Sequence, residues 1–190
     1  MLQIVALGVL IICWIAWILA FVIARRRVGV RKKVVSAPIS KWGVALQIVG
    51  FMVIGARLHS RLLQPPQALE NTLFVASMIL GPLSCALAWV AVRHLGKQWR
   101  IEAALSEDHE LVQTGPYRWV RHPIYASMLG MLLAFGFVLD WWPMMIVGLI
   151  FFLIGLEIRI RAEDRLLAER FGETFAGYRS RVPAYIPFVR

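Results

Sequence analysis

The sequence predicts an all-α integral membrane protein in which five transmembrane helices carry a polar face at one end. Three observations lead there. A chain that is 59% hydrophobic and 17% charged, with a mean hydropathy of +0.68, is too apolar for an ordinary soluble domain. Its apolar residues fall into five runs, each of roughly the length that a helix needs to cross or nearly cross the hydrocarbon core. All of the 21 Lys and Arg except Arg57 and Arg61 lie in three segments that the alternation of spans puts on one side. The net charge of +10 therefore points to membrane topology rather than to nucleic acid.

Span one is the uncharged run Leu2 to Ala24. It has no basic segment before it, is longer than the apolar core of a secretory signal, and is followed by Arg25, Arg26 and Arg27, as an uncleaved anchor would be. The basic loop Arg25 to Lys41 reads as cytoplasmic, and span two covers about Trp42 to Leu63. Arg57, His59 and Arg61 crowd its far end, where long side chains snorkel to the outer headgroups. Gln64 to Glu70, with Pro65 and Pro66 and no Lys or Arg, fits an outer loop.

Span three, about Asn71 to Val92, contains Gly81-Pro82, where a missing N–H and a ring clash predict a kink. The polar segment Arg93 to Arg121 returns to the cytoplasmic side, and span four runs from His122-Pro123 to about Leu139. Pro123 suits a first helical turn, where its lost donor costs nothing. A tight turn at Asp140 to Pro143 leads to span five, about Met144 to Ile160, and then to a basic tail. The arrangement places the N-terminus outside and the C-terminus inside, in an inner or equivalent membrane. It is one membrane domain, with three spans in residues 1–92 and the polar loop, helical hairpin and tail in 93–190. Trp42, Trp141 and Trp142 stand at span ends, where amphipathic rings belong.

Cys13 and Cys85 lie inside spans and read as small packing residues, and His59, His94, His109 and His122 lack zinc-site spacing, so no metal site is expected. The hairpin of spans four and five brings the polar stretch His109 to Tyr125 towards the segment Glu157 to Arg190. From Glu157 to Phe171 the pattern is helical, with Ile158, Ala162, Arg165 and Leu166 near one face and Arg159, Glu163, Leu167 and Arg170 near another. Arg159 and Glu163, one turn apart, are either a helix-end salt bridge or a cation and anion facing a zwitterionic ligand. His122 is either a helix cap or part of that site.

TGPYRWVRHPIY at residues 114–125, R-x-x-x-E-D at Arg159, Glu163 and Asp164, and FGETFAGYRSRVPAYIPF at residues 171–188 occur in that order, with His109-Glu110-Leu111-Val112 and Leu95-Gly96 upstream. Together they resemble the isoprenylcysteine carboxyl methyltransferase family, related to the phospholipid methyltransferases. The likeness covers the last half of the chain. It implies S-adenosylmethionine as cofactor, held at the cytoplasmic face between the span three to four loop and the tail. The implied cofactor-binding residues are His109, Leu111, Val112, Gly115, Tyr117, His122, Pro123, Tyr125, Glu163, Asp164 and Tyr178, with Arg159 and Glu163 catalytic and Pro187 in the matching tail. Asp164 stands where the family usually has a second Glu.

Such a ligand carries an ammonium, a carboxylate and a flat adenine. Glu163 or Asp164 suits the first and Arg159 or His122 the second, while Trp99, Tyr117, Trp119, Tyr125 or Tyr178 suits the third. The acceptor is expected to be hydrophobic or lipidated, most simply the carboxylate of a prenylated cysteine, passing from the surrounding lipids along span three. No nucleic acid and no obligate protein partner are expected. Two other readings stay open: a sterol-reductase-like enzyme using NADPH, and a non-enzymatic scaffold whose basic loops bind anionic headgroups.

Overall fold

In a computed structural model of the chain, the described residues are 1–27, 34–56, 66–100, 103–106, 109–139 and 142–186. Five helices dominate them: α1 (Leu2–Arg27), α2 (Ser40–Gly55), α3 (Gln67–Leu95), α4 (Pro123–Leu139) and α5 (Trp142–Arg181). Three of these, α1, α3 and α5, are long and apolar enough to cross a membrane, whereas α2 and α4 have 16 and 17 residues. At about 1.5 Å per residue the two shorter helices reach only ~25 Å, slightly less than a hydrocarbon core. The far end of the expected second span, with Arg57, His59 and Arg61, lies outside the described residues, as do Pro65, Asp140, Trp141 and Pro187.

Burial follows the inverted pattern of a protein surrounded by lipid. Large aliphatic side chains face outward, among them Ile4, Ile12, Ile15, Met52, Ile79 and Leu83, while Ser40, Gln47, Ser77, Ser84 and Ser127 are buried between helices. Each buried hydroxyl needs a partner in such surroundings: Ser77 donates to the Ala134 carbonyl at 2.8 Å and Ser127 to that of Ile124 at 2.7 Å. One apolar cluster joins α1, α3 and α4 through Leu10, Cys13, Phe74, Met131 and Ala134. A second joins α2, α4 and α5 through Ile54, Leu132, Phe152 and Leu156.

Several details add to the sequence expectation or differ from it. The helical fold carries one small addition: β1 (Val34–Ser36) and β2 (Ala104–Ser106) pair antiparallel with Val35 opposite Leu105. Two three-residue strands far apart in sequence leave no periodic signal, yet they tie the two basic loops together at one end of the helices. Pro82 lies inside α3 and is exposed, and the neighbouring Gly81 packs on Cys13 of α1, where an added Cβ would lie 3.6 Å from the sulfur. Pro143 belongs to the first turn of α5 rather than to a loop, a position where a missing N–H leaves nothing unpaired. Finally, α5 runs well past the expected span, broken only at Gly172, whose φ of 48° is outside the helical range. Arg165 leaves the face assigned to it: it is 82% exposed and bonds Glu169 at 2.9 Å, while Ile160, Ala162 and Leu166 are buried.

Candidate active site

The polar side chains converge where α4 begins and α5 leaves the apolar layer. Arg121 and His122 precede α4, whose first residue is Pro123. Helix starts leave amides without intrahelical partners, and here the tail supplies acceptors. The Arg121 N–H donates to the Pro183 carbonyl and the His122 N–H to the Ala184 carbonyl, both at 2.8 Å. The break at Gly172 allows the end of α5 to pack back, burying Phe175 and Tyr178. Tyr178 then donates to the Tyr117 carbonyl at 2.6 Å, fixing the short 3₁₀ turn Gly115–Arg118. Gly115 has φ 60°, and a Cβ there would lie 2.4 Å from the His94 ring, so the turn needs glycine on both counts.

His122 is the hub of a buried charge network. Its Nε2 lies 2.9 Å from Asp164 Oδ1 and its Nδ1 lies 3.6 Å from Glu163 Oε2. Arg121 donates to Asp164 Oδ2 at 2.9 Å, with Arg179 at 4.0 Å on the outside of the same carboxylate. Burial would push the imidazole below its ordinary 6.5, but the hydrogen bonds and negative charges of Asp164 and Glu163 outweigh it and raise the pKa to about 9. The charged form of His122 is thus favoured: its carbonyl accepts the Ala126 N–H where α4 begins, while its ring is committed to Asp164 and Glu163.

The sign of the linkage follows. A folded value above the unfolded one contributes stability in full below pH about 6.5, and that contribution is lost as pH rises through about 9. Melting of the detergent-solubilised protein is therefore expected to be level below about pH 6.5 and to decline between about 6.5 and 9, with His122→Gln flattening that decline. An identical alkaline decline in the variant would show that another group is responsible.

Tyr125, one turn into α4, stacks on His122 with ring centroids 5.4 Å apart and has the Arg159 guanidinium 4.7 Å from its own centroid. Arg159 is buried on α5 and donates to Gln47 Oε1 of α2 at 2.8 Å. These groups border a cavity of about 350 Å³, a size typical of small-molecule sites. Its wall includes ten of the twelve residues expected from sequence: His109, Leu111, Val112, Tyr117, His122, Pro123, Tyr125, Arg159, Glu163 and Tyr178.

Two expected residues are not in that wall. Gly115 shapes the turn behind Tyr117, and Asp164 lies behind His122 and Arg121, 6% exposed. Consecutive residues on a helix point about 100° apart, so Glu163 faces the cavity and Asp164 faces the inside of the tail. Trp119 is also outside the wall. It is 61% exposed and stacks under Arg118 at 5.0 Å, whereas Trp99 is buried and borders the cavity.

Several wall residues carried no sequence signal. Trp17, Ile18, Phe21 and Val22 of α1 supply an apolar side, and Arg25, Gln98 and Arg100 add polar groups, beside Glu110 of the motif at 109–112. Gln98 Oε1 and Arg100 Nε and Nη2 are buried with no partner among the described residues, so the wall has spare capacity for hydrogen bonds. An apolar span residue looks the same in sequence whether it meets lipid or a ligand, which is why α1 gave no hint.

Similarity to known proteins identifies the family. Residues 75–169 match the isoprenylcysteine carboxyl methyltransferase family. The uncharacterized protein YpbQ of Bacillus subtilis is 31% identical over 126 residues, 66% of this chain and 72% of that protein. The protein-S-isoprenylcysteine O-methyltransferase of Saccharomyces cerevisiae is 33% identical over 100 residues, 47% of this chain and 37% of its own length. The methanethiol S-methyltransferase of Mycobacterium tuberculosis is 37% identical over 76 residues, 38% of this chain and 28% of its own. The chain thus spans well under half of these two named enzymes. On the family match, its coverage of YpbQ and the order of its motifs, the chain belongs to the isoprenylcysteine carboxyl methyltransferase family.

Proposed function

We propose that the protein is a membrane methyltransferase that binds S-adenosylmethionine in the cavity beside His122 and Glu163 and methylates a hydrophobic or lipidated acceptor. The observation that supports this most is the charge layout of the wall: an anion, Glu163, and a cation, Arg159, with Tyr125 between them and His122 held protonated alongside. Glu163 suits the cofactor's ammonium. Both ring nitrogens of His122 face carboxylates, so Arg159 suits the cofactor's carboxylate. Trp99, Tyr117, Tyr125 and Tyr178 offer faces for adenine. The unpartnered Gln98 and Arg100 atoms fit a ligand rich in hydrogen-bonding groups.

When bound, S-adenosylmethionine supplies an activated methyl carbon. The protein's share is to align the acceptor and exclude water, and the apolar side from α1 serves the second purpose. A carboxylate acceptor needs orientation only, since it is ionised at neutral pH. An amine acceptor would need a base, and Glu163, the wall carboxylate beside His122, suits that role. Five spans, with the short α2 and α4 included, put the N-terminus outside and the cavity at the cytoplasmic face, in one membrane domain where the soluble cofactor and the lipid-borne acceptor meet.

Calorimetry on detergent-solubilised protein with S-adenosylhomocysteine and with NADPH tests the cofactor. Binding of the first alone is expected, because Glu163 would repel phosphates; binding of NADPH alone would replace this reading with a reductase. Transfer of label from methyl-labelled cofactor to a membrane-extracted lipid then identifies the acceptor.

A further inference from the structure

Gln47 is an amide in the middle of the apolar helix α2, 2% exposed, where a polar group is costly unless it serves a partner. Its partner is Arg159: the guanidinium Nη1 donates to Gln47 Oε1 at 2.8 Å with both side chains buried. One turn earlier, Gly43 makes room for the same arginine. A Cβ at Gly43 would meet Arg159 Cγ at 2.5 Å and the Gly155 carbonyl at 2.6 Å. The contact is reciprocal, since a Cβ at Gly155 would lie 2.5 Å from the Gly43 carbonyl. Seven residues along, Gly50 and Gly148 repeat it, each with the other's carbonyl 2.6 Å from the added Cβ. Two pairs of glycines thus bring the α2 and α5 backbones together and set Gln47 level with Arg159.

We infer that Gln47 is a positioning residue for the candidate active site: it holds Arg159 in the orientation that receives the cofactor's carboxylate. The arginine stem lies over Gly43, its Nη1 is fixed by Gln47, and its guanidinium lies over the Tyr125 ring. A long, rotamer-rich side chain restrained before the ligand arrives loses less freedom on binding. Helix α2 lies outside the stretch that matches the family model, residues 75–169, whereas Arg159 lies inside it. The inference rests on the proposed S-adenosylmethionine site and adds the element that aims its cation.

The test compares two ligands on the full-length, detergent-solubilised protein by calorimetry. S-Adenosylhomocysteine carries the carboxylate and 5′-methylthioadenosine lacks the whole amino-acid end. Gln47→Leu is expected to weaken S-adenosylhomocysteine by about tenfold, the size of one hydrogen bond to a charged group, and to leave 5′-methylthioadenosine within about twofold. In an Arg159→Leu background the same change is expected to add nothing, because Gln47 acts only through Arg159. Should Gln47→Leu not fold, Gln47→Asn, one methylene shorter, carries the same expectation. Equal loss for both ligands would mean that Gln47 only packs helices, and unchanged S-adenosylhomocysteine affinity would mean that it does not act on the site. Either overturns the inference while leaving the cofactor reading intact. Failure of the unaltered protein to bind either ligand would instead overturn that reading and this one with it.

Discussion

Glu163→Gln is expected to lower affinity for S-adenosylhomocysteine by about a hundredfold or more with the melting temperature close to that of the unaltered protein, while Asp164→Asn does the reverse. The two carboxylates are adjacent in sequence and look equivalent there, but α5 turns them to different tasks. Glu163 keeps 32% of its side chain exposed within the cavity wall and meets His122 only at 3.6 Å, so removing its charge leaves His122 still bonded to Asp164. What is lost is the carboxylate beside His122 that the proposed site offers to the ammonium, and an unpaired buried charge on the ligand costs about 2–5 kcal/mol. Asp164 holds His122 and Arg121 at 2.9 Å each and contributes nothing to the wall. Neutralising it takes from Arg121 and His122 the counter-charge they share at 2.9 Å and leaves Glu163 at 3.6 Å from His122, a loss of about 3–5 kcal/mol in stability. Calorimetry and thermal unfolding on both variants decide the matter. A stable Asp164→Asn protein with no ligand binding, paired with a Glu163→Gln protein that binds normally, would invert the assignment.

What the sequence makes legible depends on which physical signal each feature leaves. The helices are legible because a span needs an unbroken apolar run, and the charge of the loops marks where each run ends. The stretch from His109 to Tyr125 and the acidic pair are legible because polar residues abutting apolar spans are rare, and their order resembles a known family. The separation of Glu163 from Asp164 is not legible, since helical phase depends on how α5 is rotated against α4 and the tail. Equally hidden are Gln47, one amide in an apolar run, and the α1 side of the cavity. Trp119 shows the converse failure: an aromatic residue inside the motif is turned outward, where Arg118 covers it.

Gly155→Val is expected to be the most damaging substitution in the apolar layer, costing about 3 kcal/mol or more or preventing the fold. Its added Cβ alone would lie 2.5 Å from the Gly43 carbonyl and 3.0 Å from the Gln47 amide nitrogen, both backbone atoms that no side-chain rotation can move aside. Relief requires α2 to shift away from α5, which opens the seam where Gly50 and Gly148 meet and lifts Gln47 from Arg159. Gly8→Ala in α1 is the control. Nothing lies within 4 Å of the added Cβ, and alanine favours a helix over glycine, so its melting temperature is expected to match or slightly exceed that of the unaltered protein. Thermal unfolding of both in one detergent is the measurement, and Gly155→Val melting with Gly8→Ala would show that the α2–α5 seam has slack. A partial outcome is informative about mechanism as well: if Gly155→Val folds but binds S-adenosylhomocysteine weakly and 5′-methylthioadenosine normally, the displacement of α2 has reached the ligand through Arg159, the route that the glycine contacts and the Gln47 hydrogen bond lay out.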